Sequence, residues 1–175
     1  THEKTMVGWR DVPADLSDHA ALARLDAHLP TGAVLISSDL IRAVATADAI
    51  GAGRDRLPHH PGLRELHFGD WDGMAWEAIA ESHPDLSFAY WDDPGDHCAP
   101  NGESWITAEA RVNADVAALL SDHPAGDIII VAHFGVILTQ VQRSKAVMEA
   151  IDARQFRAEF SPSGRLHNAN DRFLA

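Results

Sequence analysis

The stretch Asp127-Ile128-Ile129-Ile130-Val131-Ala132-His133-Phe134-Gly135 decides how the rest of the chain is read. Its run of β-branched residues fits a strand covered on both faces, because a strand with one wet face alternates apolar and polar residues. Strands of this kind belong to parallel sheets. In open α/β sheets ligands bind just outside the carboxyl ends of the strands, and His133, followed by Gly135 and a helix-compatible run, stands at such an end. A histidine there is either a structural cap of the strand end or a reacting group, and its position alone does not separate the two.

On the amino-terminal side, Ala33-Val34-Leu35-Ile36 reads as a second short strand that runs through Ser37-Ser38-Asp39 into a helix from Leu40 to Ile50. Before it, Ser17 offers an N-cap for a helix carrying Ala21, Leu22, Leu25 and Leu29 at helical spacing, stopped by Pro30 and Gly32. Gly51 to Gly73 reads as a long loop with one short extended piece from Leu63 to Phe68. Met74 to Ser82 is helix-compatible and broken by His83-Pro84, and Leu86 to Trp91 is an aromatic-rich packing segment. Ser104 caps a helix whose apolar stripe is Trp105, Ala108, Val112, Val116 and Leu119. Val136 to Ile151 is helix-compatible, Phe156 to Phe160 alternates like an edge strand, and Arg165 to Asn170 returns after a Ser161-Pro162-Ser163-Gly164 turn. Helices alternating with strands predict an α/β fold with a mostly parallel sheet.

The bulk numbers bound the partners. With 175 residues, 46% of them hydrophobic, residues 1–175 make one domain with a sizeable core. Lys+Arg 14 against Asp+Glu 26 gives a net charge of -12, which argues against nucleic acid and against an anionic membrane surface. The single cysteine, Cys98, excludes an intrachain disulfide and a cysteine metal cluster, and suits a reducing compartment. No apolar run approaches the roughly 20 residues of a membrane span, and the opening residues lack a signal-peptide plan, so a cytoplasmic protein is expected.

Besides His133, two places carry candidate chemistry. At Ser37-Ser38-Asp39-Leu40-Ile41-Arg42 a helix begins at a strand's carboxyl end with an arginine in its first turn. The backbone N–H groups there, with Arg42 leaning toward the N-terminus, make an anion site; a capped helix with a solvated arginine is the plainer reading. Glu65 sits among apolar and aromatic residues that raise a carboxyl pKa toward that of a general acid, with a surface pair to Arg64 as the plainer reading. His59, His60 and His67 match no zinc spacing, and no metal site is expected.

Taken in order, Ser37-Ser38-Asp39-Leu40-Ile41-Arg42-Ala43, Thr46-Ala47, Leu63-Arg64-Glu65, Phe68-Gly69-Asp70-Trp71-Asp72-Gly73, Gly102-Glu103-Ser104 and Val131-Ala132-His133-Phe134-Gly135-Val136 resemble the histidine phosphatase superfamily, in its phosphoglycerate mutase-like branch. Gly8-Trp9-Arg10-Asp11-Val12-Pro13 is similar to the loop after that family's first motif, and Asn170-Asp171 to its closing segment. The resemblance implies a three-layer sandwich with helices on both faces of the sheet. It also implies hydrolysis of a small phosphorylated metabolite through a phosphohistidine, without metal or cofactor. By the same resemblance Arg42 clamps phosphate, His133 is the second, catalytic and phosphate-binding histidine, and Glu65 is the catalytic proton donor and later the base. His67, Arg64 and Trp71 are expected on the leaving-group side. A mutase-type phosphoryl transferase and a non-catalytic phosphate-ligand-binding module are the alternatives, and a homodimer is left open.

One departure bears on the nucleophile. The family's first strand ends in Arg-His-Gly, and this chain has no such triplet. His2 is flanked instead by Thr1 and by Glu3, whose carboxylate is electrostatically wrong beside a phosphate. The expectation is therefore a domain without its first strand in residues 1–175, or one in which His2 serves. Asp72 where the family more often has glutamate, Asn101 before Gly102, and the short span from Arg143 to Arg157 are lesser departures.

Overall fold

The computed structural model describes residues 4–93, 95–142, 158–160 and 166–169. Its centre is a parallel sheet in the order β2 (Asp55–Arg56), β1 (Val34–Ser37), β3 (Ile128–Val131). β1 and β3 run in register from Val34 opposite Ile128 to Ser37 opposite Val131. Successive side chains of a strand point to opposite faces. On one face Leu35 and Ile129 pack with Leu25 and Leu29 from the region of α1 (His19–His28) and with Ala47 and Ile50 from the region of α2 (Ile41–Ala49). On the other, Ile36 and Ile128 are buried as well, so the apolar run reads as a strand covered on both sides. Among the described residues β3 pairs with β1 alone, leaving its other edge without a strand.

A second core lies under α3 (Trp76–Ser82), α4 (Pro84–Asp92) and α5 (Trp105–Asp122), where Met6, Leu66, Phe68, Trp71, Ile79, Tyr90 and Trp105 are buried together. Leu138 of α6 (Phe134–Gln142) packs against it. The aromatic segment Leu86 to Trp91 is helix: Pro84 occupies the first turn, where its missing N–H has no intrahelical partner to lose, and so starts α4 as well as ending α3. Trp71, expected on the leaving-group side, is fully buried in this core, edge-on to Tyr90 at 5.6 Å between ring centroids. Ser104 caps α5 as expected, accepting from the Thr107 N–H at 3.2 Å.

Other boundaries shift for local reasons. α1 is capped by Asp18, whose carboxylate accepts from the Ala21 N–H at 2.9 Å, and not by Ser17, whose own N–H is drawn to Asp15. Inside the expected loop Gly51 to Gly73 lies β2, too short for periodicity to reveal. The piece Leu63 to Phe68 is not a strand; 3-10 turns flank it at Pro61–Leu63 and Gly69–Trp71. Gly69 has φ of 49°, and a Cβ there would lie 2.1 Å from the Pro100 carbonyl oxygen, so only glycine fits. α6 begins at Phe134, and its expected continuation from 143 to 151 is outside the described residues. β4 (Ala158–Phe160) and β5 (Leu166–Ala169) pair antiparallel as the alternating pattern predicts. Thr1 to Glu3 are also outside the described residues.

Arg54 had no signal in the sequence. Its side chain is 1% exposed, and it donates to the carbonyls of Pro30, Asp26, Leu29 and Ile50 and pairs with Asp26, so one guanidinium closes the carboxyl ends of α1 and α2. Replacing it leaves those carbonyls without donors. Arg54→Met is expected to cost roughly 3 kcal/mol, read as the shift of the urea midpoint at constant m; a loss under about 1 kcal/mol would show that water reaches these carbonyls.

Candidate active site

β1 and β3 end side by side, with the Ser38 N–H donating to the Val131 carbonyl at 3.0 Å, and from there the chain turns into α2 and α6. Arg42, the second residue of α2, and His133, just before α6, meet across this seam: Arg42 Nε donates to His133 Nδ1 at 3.2 Å. The rest of the fork is held from the side, Nη1 by the Arg10 carbonyl at 3.0 Å and Nη2 by the Gly8 carbonyl at 2.7 Å. These account for three of the five guanidinium N–H groups. The carbonyls are themselves fixed by Asp72, whose carboxylate accepts from the N–H groups of Gly8 at 3.0 Å and Arg10 at 2.8 Å. Burial lowers the pKa of Arg42, while Glu65, Asp11 and Asp72 act to keep its charge.

His133 is 7% exposed. Because Nδ1 accepts from Arg42, the ring is neutral with its proton on Nε2. Burial, reinforced by the Arg42 charge, pushes its pKa down to about 3. Nε2 is buried and has no hydrogen-bond partner among the described residues. The site thus holds a neutral N–H donor oriented by an arginine and not taken by any described residue.

Glu65 is 8% exposed and lies over the first turn of α6. Oε2 accepts from the Gly135 N–H at 3.1 Å, and Oε1 accepts from Val136 at 3.1 Å and from Leu66 at 3.0 Å. Gly135 and Val136 carry N–H groups that no preceding turn can satisfy, and the helix dipole adds to their pull on a carboxylate. Burial raises the Glu65 pKa; the three N–H groups and Arg42 oppose the rise without cancelling it. At Gly135 a Cβ would stand 2.2 Å from Leu66 Cδ1 and 2.6 Å from Glu65 Oε1, so this glycine is what lets the acid approach the helix.

The three residues singled out in the sequence, Arg42, Glu65 and His133, are therefore brought together. Other expectations change. The α2 N-terminus is already engaged, because the Ile41 N–H donates to Asp11 Oδ1 at 2.7 Å and the Leu40 N–H to Ser38 Oγ at 3.2 Å, so it is not an open anion site. Arg64 is paired with Asp39 at 2.7 and 2.5 Å rather than with Glu65, which holds the Asp39 carboxyl below its usual range. Arg64 also lies over the Trp9 ring at 4.9 Å, and His67 meets the same ring edge-on at 4.5 Å. His59 and His60 go to separate partners, Arg56 and Asp115. Asp72, noticed only as a departure, is the residue that shapes the Arg42 cradle.

An α/β domain that gathers an arginine, a neutral histidine and a buried acid at the carboxyl ends of parallel strands presents donors to an anion with a proton source beside them. The chain belongs to the histidine phosphatase superfamily (branch 1), whose family model matches residues 1–158. It is 33% identical over 136 residues to the adenosylcobalamin/alpha-ribazole phosphatase of Salmonella typhimurium, covering 75% of this chain and 65% of that protein. It is 32% identical over 113 residues to the glucosyl-3-phosphoglycerate phosphatase of Mycobacterium tuberculosis, covering 59% of this chain and 50% of that protein. The chain thus spans between half and two thirds of these relatives' length. A crystal structure of phosphoglycerate mutase from Thermus thermophilus superposes with a TM-score of 0.65 at 30% identity, covering 81% of this chain and 75% of that one. The fold is phosphoglycerate mutase-like.

The buried imidazole makes stability depend on pH. With its pKa lowered from 6.5 to about 3, the folded state refuses a proton that the unfolded chain takes up in that window. His133 therefore stabilises fully above pH 6.5 and loses its contribution as pH falls through the window, up to about 5 kcal/mol in all at about 1.36 kcal/mol per unit. Glu65 has the opposite sign, since a raised carboxyl pKa weakens the fold as pH rises past the usual carboxyl range. Urea midpoints of the parent protein should fall between pH 7 and 5 with a steeper slope than those of His133→Gln, by close to one proton. Equal slopes would mean that His133 titrates freely.

Proposed function

We propose that the protein is a phosphomonoester hydrolase acting on a small phosphorylated metabolite through a phosphohistidine intermediate, without metal. The observation that carries this reading is the His133 Nε2–H, buried, unpartnered among the described residues, and aligned by Arg42. Such donors match the charge spread over the equatorial oxygens of a transferring phosphoryl group, and they need no reorganisation when it arrives. Arg42 and His133 hold phosphate. A nucleophilic histidine attacks phosphorus as Glu65 protonates the departing oxygen; water then attacks the phosphohistidine and gives its proton to Glu65, releasing phosphate. The raised Glu65 pKa supports the acid role.

The nucleophile in this reading is either His2 or a histidine on a strand seated at the edge of β3 that no described strand covers. Such a strand would satisfy the edge's backbone groups and bring its carboxyl end beside His133. The named activities of the two curated relatives, both phosphatases, support hydrolysis over transfer to a second substrate. The setting proposed is the cytoplasm, which suits an exposed, free Cys98; among the described residues no helix is long and apolar enough to cross a membrane.

With p-nitrophenyl phosphate and EDTA present, the protein should release phosphate, and His133→Ala should lose roughly 100-fold or more in kcat/KM. Acid-labile, alkali-stable label should be trapped on histidine. Orthovanadate binding without turnover would instead establish a phosphate-binding module, and label exchange between two phosphoesters without net release would establish a mutase.

A further inference from the structure

Glu65 lies in a segment, Leu63 to Phe68, that belongs to no strand, so its backbone groups need partners from outside a ladder. Arg111, from the middle of α5, supplies them. Its Nη1 donates to the carbonyls of Gly62 at 2.7 Å and Arg64 at 3.1 Å, and Nη2 to that of Glu65 at 3.4 Å. The same guanidinium pairs with Glu103, Nη2 to Oε1 at 2.5 Å and Nε to Oε2 at 3.3 Å. Glu103 in turn accepts from the His67 N–H at 2.8 Å, and its own N–H donates to the His67 carbonyl at 2.8 Å. One ion pair thus grips the backbone on both sides of Glu65. The side chains are 20% and 12% exposed.

We propose that Arg111, held by Glu103, is a positioning residue for Glu65. It does what a neighbouring strand would otherwise do, fixing the carbonyls of Gly62, Arg64 and Glu65 so that the Glu65 carboxyl reaches the Gly135 and Val136 N–H groups. The planar fork is required, because three carbonyls and a carboxylate are met from one centre; an ammonium group on a flexible stem presents donors in no such fixed plane. Arg111 makes no hydrogen bond to His133 or Arg42; its charge adds to the forces that hold the His133 pKa down, and Arg111→Lys keeps that charge while removing the fork, so the variant isolates the hold on the acid.

The inference rests on reading Glu65 as the proton donor, and the test separates the two. Arg111→Lys, Glu103→Gln, Glu65→Gln and the double variant Arg111→Lys/Glu65→Gln are compared on p-nitrophenyl phosphate, whose leaving group is a stable anion, and on a simple alkyl phosphate, whose leaving group needs a proton. Arg111→Lys should lower kcat for the alkyl ester about 100-fold and for p-nitrophenyl phosphate under about 5-fold, with KM little changed. The double variant should be no worse than Glu65→Gln alone. Independently of turnover, hydrogen exchange at the Gly135 and Val136 amides should quicken at least about 10-fold in Arg111→Lys, with Ile128 to Ile130 unchanged. Equal losses on both esters, additive losses in the double variant, or unchanged exchange at Gly135 and Val136 would overturn the inference. If Glu65→Gln itself shows no leaving-group preference, or the parent protein does not turn over, the acid role fails, and the exchange data still decide whether Arg111 holds Glu65. Should Arg111→Lys not fold, Glu103→Gln carries the same comparison.

Discussion

A carboxylate set on the first N–H groups of α6 is the interaction on which the site depends. Glu65 and the helix after His133 are brought together by it, and each constrains the other: the acid satisfies helix donors that have no intrahelical partner, and the helix end tempers the cost of burying the acid. His133 lies one residue before that helix, so the contact also fixes the exit of β3. Position of the acid and position of the imidazole are one structural fact rather than two.

The second constraint is the distribution of Arg42's donors. A guanidinium free in solution would meet an anion with its whole fork, whereas here two carbonyls of the Gly8 to Arg10 loop and the His133 ring hold it in place. Asp72 stands behind those carbonyls. Its carboxylate draws the loop in through two backbone N–H groups, which ties a residue noticed only as a departure to the orientation of Arg42. Rigidity of this kind lowers the reorganisation needed when charge develops.

The elements whose burial is periodic were legible in the sequence. The Ile128 to Val131 strand, the α5 stripe with its Ser104 cap, and the strand-to-helix passage ending in Arg42 all follow from patterns of one or two turns or one strand. Residues whose role depends on contacts between distant segments were not. Arg54 closes two helix ends that lie apart in sequence, and Arg111 grips carbonyls 46 to 49 positions away, so nothing local marks either. The same holds for Asp11, whose carboxylate takes the Ile41 N–H and so occupies a helix end that reads as open. Arg42, Glu65 and His133 were found only because their motifs occur together in order; each alone had a plainer reading.

The pairs that build the pocket are separated by 91 positions for Arg42 and His133, 70 for Glu65 and Gly135, and 64 for Gly8 and Asp72. Contacts of such span close large loops, whose entropic cost falls due before the contact can repay it, and the pairing of β1 with β3, from Val34 to Ile128, closes a loop of the same size. Competence of the site accordingly requires the amino-terminal loop, the Glu65 segment and the β3 exit all to be docked. Any assay of the site is therefore also a report on completed folding of the chain from Gly8 to Val136.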